Sequence, residues 1–260
     1  PEPKVSTANL AAQELARAQA QARRERAEQL AAQQRALLVC ERRFGEALRQ
    51  YRRTIELSST QPKEAAQQCQ AMVKGVVGEM MCEGESAIRL LSESAGDKSA
   101  MHPVNVTIVS LLLGKAMGLS VQELEDLGTA AFLHDIGKIM LPDRVRWYED
   151  NFSSAEYKLY QDHVSHSLKL AKAMELSAPA LLAIAQHHEM ADGSGFPLKI
   201  KGDVQSPLAR ILALVNRYDN LCNPSRPAAA LTPHESLSLI FAQLKARFDS
   251  TALSAFIRMM

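Results

Sequence analysis

From Thr7 to Arg53 the sequence is a nearly unbroken run of helix formers rich in Ala, Gln, Arg and Glu, and later stretches carry only weak strand signals. A chain of this kind has to bury its apolar surface helix against helix. Its composition agrees: 47% of residues are hydrophobic but only 5% are aromatic. We therefore expect an all-α protein. Its 260 residues suffice for one large domain or two small ones. We place a boundary near Ala95-Gly96-Asp97, with an N-terminal helical domain over 1–95 and a second helical domain over 96–260.

Residues 1–6 read as a loose tail. The first long helix reads either as a solvated helix packed along one stripe or as a coiled-coil dimerisation arm; Leu10, Leu15, Leu30 and Leu37 do not keep a clean heptad. Ser58-Ser59-Thr60-Gln61-Pro62 breaks it, and a second helix is expected over about 63–92. Further helices are expected near 100–117, 121–135, 154–175, 178–189, 206–221, 233–247 and 250–258. Ser120 and Thr232 read as N-caps, the latter with Glu235 in a capping box. Residues 198–205 have some hairpin character.

A net charge of +1 gives no footprint for a nucleic-acid polymer or an acidic membrane. Cys40, Cys69, Cys82 and Cys222 form no C-x-x-C pair and read as ordinary thiols of a reducing compartment, so we expect a cytoplasmic chain. No apolar run approaches the roughly 20 residues of a membrane span. No signal peptide follows Pro1, and a membrane or sensor segment upstream stays open. The N-terminal helices are open to protein partners and to homodimerisation.

Function is written in two short stretches. One is His134-Asp135-Ile136-Gly137-Lys138; the other is His187-His188-Glu189, followed by Asp192-Gly193-Ser194-Gly195-Phe196-Pro197. Neighbours on a helix point about 100° apart, so two adjacent ligands converge only beyond a helix end. Gly137 is expected to supply that end. Six of the seven histidines lie between residues 102 and 188, each on or at the end of an expected helix. A helical bundle can aim such side chains at one point. Imidazole suits iron, zinc, manganese or nickel, and the two oxygens of Asp135 could serve two ions. His234 reads as a first-turn helix residue with no part in this.

These stretches, with Ala209-Arg210-Ile211-Leu212, Tyr218-Asp219-Asn220-Leu221 and Arg226-Pro227, resemble an HD-GYP domain, a subgroup of the HD phosphohydrolases whose members hydrolyse the bacterial second messenger cyclic di-GMP. The resemblance runs from about Gly96 to Phe256 and implies an HD-type fold for the second domain. It implies metal ligation by His102, His134, Asp135, His163, His187 and His188, with His166 the competitor of His163. It implies Lys138 beside the scissile phosphate, Asp135 and Lys138 as the catalytic pair, and Gly195-Phe196-Pro197 and Arg210 on the substrate side. Phe196 stands where the family has a tyrosine, which removes a hydroxyl and keeps the ring. The cofactor implied is a pair of divalent transition-metal ions, iron or manganese first.

Two departures matter. The family carries an aspartate ligand where this chain has Asn216, so one ion should bind more weakly, with Asp219 one turn on as a candidate to compensate. Asp219 reads alternatively as a surface ion pair with Arg210. Lys98 stands where three-metal members have a glutamate, so two ions are expected. The implied activity is metal-dependent hydrolysis of cyclic di-GMP without a covalent nucleophile. The alternative is a weak or inactive domain that serves as a cyclic di-GMP receptor or a protein-interaction adaptor.

Overall fold

Short polar residues punctuate the chain and set where its helices begin. The computed structural model describes residues 7–82, 98–147, 152–224 and 227–260. Its helices are α1 (Thr7–Leu57), α2 (Pro62–Cys82), α3 (Lys98–Ala116), α4 (Val121–Leu133), α5 (Ser154–Ala173), α6 (Ala178–Gln186), α7 (Pro207–Cys222), α8 (Pro233–Leu239) and α9 (Ser250–Met259). Ser120 with Glu123, Ser153 with Glu156, and Thr232 with Glu235 form reciprocal capping boxes at α4, α5 and α8. Ser177 and Asp249 cap α6 and α9 with one hydrogen bond each. No strand occurs among the described residues, and none of their helices is long and apolar enough to cross a membrane. The expected tail and the turn at 95–97 lie outside the described residues, as does the expected continuation of the second helix past Cys82.

The chain divides into two compact units, one within Pro1–Gly45 and Glu85–Ser92, the other within Glu46–Gly84 and Glu93–Met260. In the first unit, the α1 residues from Gln13 to Leu30 are exposed. In the second, α3 packs against α4 and α7, α4 against α2 and α6, and α5 against α6. Leu111, Leu113, Leu124, Leu127, Phe132, Ile184, Leu212 and Leu214 fill the centre, each fully buried. The stripe Ala65, Cys69, Val73 and Val77 puts α2 into the same core. A Cβ on Gly128 of α4 would lie 2.7 Å from Val73 Cγ1, so the missing side chain lets the two helices approach. The Tyr51 ring meets Phe132 edge-on at 5.2 Å. Among the described residues, those from Glu46 to Cys82 thus belong with the C-terminal unit and not with residues 1–45.

Three local expectations are corrected. The helix expected over 121–135 ends at Leu133, and a 3-10 turn over Ile136–Met140 follows. The helix expected over 233–247 stops at Leu239 and continues as a π turn (Ile240–Leu244) and a 3-10 turn (Lys245–Arg247). Residues 198–205 form no hairpin. Their first three N–H groups go to a side chain instead: Leu198 and Lys199 donate to Glu189 Oε1 at 2.6 and 3.1 Å, and Ile200 donates to Oε2 at 3.0 Å.

Candidate metal centre

Both adjacent-ligand pairs sit where a helix has just stopped. His134 is the C-cap of α4 and His187 the C-cap of α6. A helix end leaves carbonyls without partners, and each ring fills one. His134 Nδ1 lies 2.6 Å from the Ala131 carbonyl and His187 Nδ1 lies 2.7 Å from that of Ile184. On α5, His163 Nδ1 makes the same three-residue return to the Tyr160 carbonyl at 2.5 Å. Donating Nδ1–H to a carbonyl fixes the tautomer and leaves the Nε2 lone pair free. All three Nε2 atoms face Asp135: His134 at 3.4 Å from Oδ2, His163 and His187 at 3.3 and 3.7 Å from Oδ1.

His102 arrives from α3. Its Nε2 is 3.2 Å from His134 Nε2 and 3.5 Å from Asp135 Oδ2. Its Nδ1 is 2.6 Å from Asp219 Oδ2 on α7, and Asp219 Oδ1 also accepts from Asn105 and Asn223 at 3.1 and 2.8 Å. The result is two clusters, His102–His134–Asp135 and Asp135–His163–His187–His188, each with its ligand atoms within 4.8 Å of one another. Asp135 belongs to both, one oxygen toward each.

Buried polar atoms are normally hydrogen-bonded, so orphans call for an explanation. Asp135 Oδ1 and the Nε2 atoms of His163, His187 and His188 are all buried without a hydrogen-bond partner. Four such atoms converging from three segments fit a divalent cation, and imidazole with carboxylate is a donor set for transition metals. The helix ends add to the fit, because the α4 and α6 C-termini carry partial negative charge.

The protonation states of three of these imidazoles agree with this fit. Burial pushes His134 down to about 4 and His163 to about 3, and holds His188 well below its ordinary value. Neutral imidazoles are what a metal needs. For His102, burial works downward, but its hydrogen bonds to Asp135 and Asp219 carry it up to about 9. Burial opposes the charge on Asp135 as well, yet Lys138 keeps its carboxyl well below the usual range. Lys138 Nζ lies 2.6 Å from Asp135 Oδ2, and 5.5 and 5.4 Å from the ring centres of Trp147 and Tyr160.

The Gly195-Phe196-Pro197 loop lies against the same cluster. Phe196 stacks on the His188 ring at 4.4 Å and 19°, and its N–H donates to the His188 carbonyl at 3.1 Å. A Cβ on Gly195 would come within 2.4 Å of that carbonyl and of Met190 N, so glycine is required for the contact. Gly193 has φ +79° and supplies the turn before it. Gly137 does a different task from the one expected. It does not end α4. A Cβ there would lie 2.2 Å from Ser167 N and 2.4 Å from the His163 carbonyl. Its absence lets the turn lie flat on α5, and Gly137 N–H donates to Ser167 Oγ at 2.9 Å.

The structure thus brings together His102, His134, Asp135, His163, His187, His188 and Lys138, and seats Phe196 on one ligand. His166 is half-buried and outside both clusters. Asn216 is buried on α7, where its Oδ1 accepts from Asn220 Nδ2 at 2.8 Å. Arg210 does not pair with Asp219, which lies more than two turns further along the same helix; it lies 3.4 Å from Asp249 and donates to the Gln205 carbonyl at 3.2 Å, while Asp219 is engaged by His102. Sequence reasoning missed the Asp219 partnership, the Glu189 clamp and Tyr160. Glu189 was the one visible signal, standing directly after the paired histidines.

The HD domain family profile matches residues 88–252, more than half of the chain. The chain belongs to the HD domain family. Among curated relatives, this HD domain chain is similar to the cyclic di-GMP phosphodiesterase response regulator RpfG of Xanthomonas campestris, at 31% identity over 58% of this chain and 40% of that one. A cyclic di-GMP phosphodiesterase of Pseudomonas aeruginosa is 26% identical over 66% of this chain and 41% of its own. A 3'3'-cGAMP-specific phosphodiesterase of Vibrio cholerae is 28% identical over 50% and 25%. The matches thus span less than half of these relatives' own lengths. In fold, this HD domain chain is similar to an HDG"Y"P protein from Bdellovibrio bacteriovorus, with a TM-score of 0.71 at 17% identity over 85% of this chain and 71% of that one.

Proposed function

We propose that the chain is a metal-dependent phosphodiesterase that hydrolyses cyclic di-GMP. The observation that supports this best is the Asp135 carboxylate, placed between two imidazole clusters with its Oδ1 and three Nε2 atoms lacking partners. His102, His134 and Asp135 would hold one ion, and Asp135, His163, His187 and His188 the other, with iron or manganese the metals proposed. When bound, the ions would polarise a phosphodiester and make water acidic enough to attack it at neutral pH. The names of the curated relatives support a cyclic dinucleotide as the substrate class.

The chain's own groups prepare the site in three ways. The Nδ1 anchors on Ala131, Tyr160, Ile184 and Asp219 hold the imidazoles in place before any ion arrives. Burial keeps water away from the ligand atoms, which strengthens electrostatic interactions there. Lys138 carries a full positive charge beside Asp135, where it would neutralise charge building on the phosphate. Phe196 forms an apolar wall over His188.

A second reading, a cyclic di-GMP receptor or adaptor without turnover, is favoured by Asn216. It stands at the family's aspartate position, and its amide oxygen is already bonded to Asn220. Elemental analysis together with turnover of cyclic di-GMP and of 3'3'-cGAMP separates the readings. The enzyme should carry transition metal and release linear dinucleotide or GMP, and Asp135→Ala should abolish both metal and turnover. Tight binding of cyclic di-GMP with no product would favour the receptor.

A further inference from the structure

We propose that Trp147 is a stacking surface for a nucleobase of the substrate, so that a phosphate at Lys138 and a base at Trp147 are read together. The inference rests on the phosphodiesterase reading and names a subsite within it. Trp147 is the one tryptophan of the chain, and it is 36% exposed although it stands against a buried lysine. The Lys138 ammonium is 5.5 Å from its ring centre.

The two residues before the ring are anchored. Val145, two residues earlier, is fully buried with Leu141 and Tyr160. Arg146 donates to the Leu141 carbonyl at 3.2 Å and pairs with Asp143 at 2.8 Å. The backbone leading to Trp147 is therefore anchored through Val145 and Arg146. A large flat apolar ring left partly in water beside a cation suits a ligand with an anion and a planar ring one sugar apart. Nucleotides have that design, and base–aromatic stacking needs no particular base edge. The aromatic surface continues past Lys138: Lys138 is 5.4 Å from the Tyr160 ring centre, Tyr160 stacks on Tyr157 at 6.5 Å, and Tyr157 meets Phe196 at 6.1 Å.

Because Trp147 is the sole tryptophan, its fluorescence reports on this position alone. The experiment titrates the metal-loaded protein with a phosphorothioate analogue of cyclic di-GMP, followed by fluorescence and by calorimetry, with ribose 5-phosphate as the base-free comparison. The analogue should quench Trp147 and ribose 5-phosphate should not. Trp147→Ala should weaken analogue binding about tenfold, leave inhibition by inorganic phosphate unchanged, and be rescued by Trp147→Phe. Phe241→Ala, at an exposed ring on the π turn, serves as a control and should bind as the parent does. Calorimetric binding without quenching, or equal loss of analogue and inorganic phosphate in Trp147→Ala, would overturn the subsite alone; the latter means that Trp147 acts only through Lys138. No binding of the analogue at all would overturn the phosphodiesterase reading and the subsite with it.

Discussion

His102 Nδ1 and Asp219 Oδ2 lie 2.6 Å apart although the residues are 117 positions apart in the chain. The contact joins α3 to α7 and fixes which ring nitrogen of His102 faces the cluster. Asp219→Asn should keep the fold, since an amide fills the same space, but it removes the charge that orients the ring. We expect metal affinity to fall about 10- to 100-fold, the usual loss for a partner behind a ligand. Unchanged affinity in a competition with a chelator would rule out this orienting role.

Metal-free protein should be most stable near pH 6.5. His134 and His163 have folded values of about 4 and 3, below the ordinary 6.5. Their contributions are therefore present above pH 6.5 and are lost as pH falls toward 4. Each is on the order of 3 kcal/mol. His102 has the opposite sign: raised to about 9, its contribution is complete below pH 6.5 and is lost as pH rises through 9. Urea unfolding between pH 4 and pH 10 should trace a maximum. A profile flat from pH 4 to 6.5 would contradict the burial of neutral imidazoles.

Two glycines should respond in opposite directions to the same change. Gly137→Ala places a methyl 2.2 Å from backbone that cannot yield, so a loss above about 3 kcal/mol is expected. Gly75→Ala, inside α2 with nothing within 4 Å, should gain about 0.5–1 kcal/mol. Chemical denaturation of both variants measures the contrast, and equal effects would mean that the close packing of Gly137 on α5 is incorrect.

Removing residues 1–45 should leave metal content and melting temperature of the second unit nearly intact. Removing residues 1–92 should not, because it takes Tyr51, Val73 and Val77 out of the core. Soluble, metal-loaded protein from the shorter chain would show that α2 is dispensable.

Asn216→Asp tests the remaining departure from the family pattern. If this side chain faces an ion, the added charge should raise occupancy toward two metals per chain and speed hydrolysis of cyclic di-GMP. Two tightly held ions in the parent and no change in the variant would take position 216 away from the metal.

The helices were legible because capping residues and apolar spacing are local. Ser120, Thr232 and the break at 58–62 mark their ends in plain sequence. His134–Asp135 and His187–His188 were legible because pairs of adjacent chemical groups are rare on helices that serve only packing, whereas His102, His163 and Lys138 were reached only through the resemblance to the HD-GYP pattern. Other features depend on distance in space. Gly137 looks like a helix terminator, and only the approach of α5 shows otherwise. The expected pair of Asp219 with Arg210 fails on helix geometry alone, since the two stand more than two turns apart on α7, but only the approach of α3 shows that His102 is the partner of Asp219. The stripe Ala65–Cys69–Val73–Val77 was readable as an apolar face, but not which core it enters. At 198–200 a local strand signal lost to a carboxylate nine or more residues earlier.

That carboxylate makes the segment after the paired histidines a ruler. Gly195 rests on the backbone of His188 and Met190, and Glu189 grips the N–H groups of 198–200 with both oxygens. The segment is held at both ends and in its middle, so its length is fixed mechanically. One residue more or fewer between 190 and 197 would pull Phe196 off the His188 ring or release Glu189, buried, with no partners. The spacing between the double histidine and the proline is therefore a dimension of the molecule, as much as a bond length is, and any chain that keeps this wall has to keep the count.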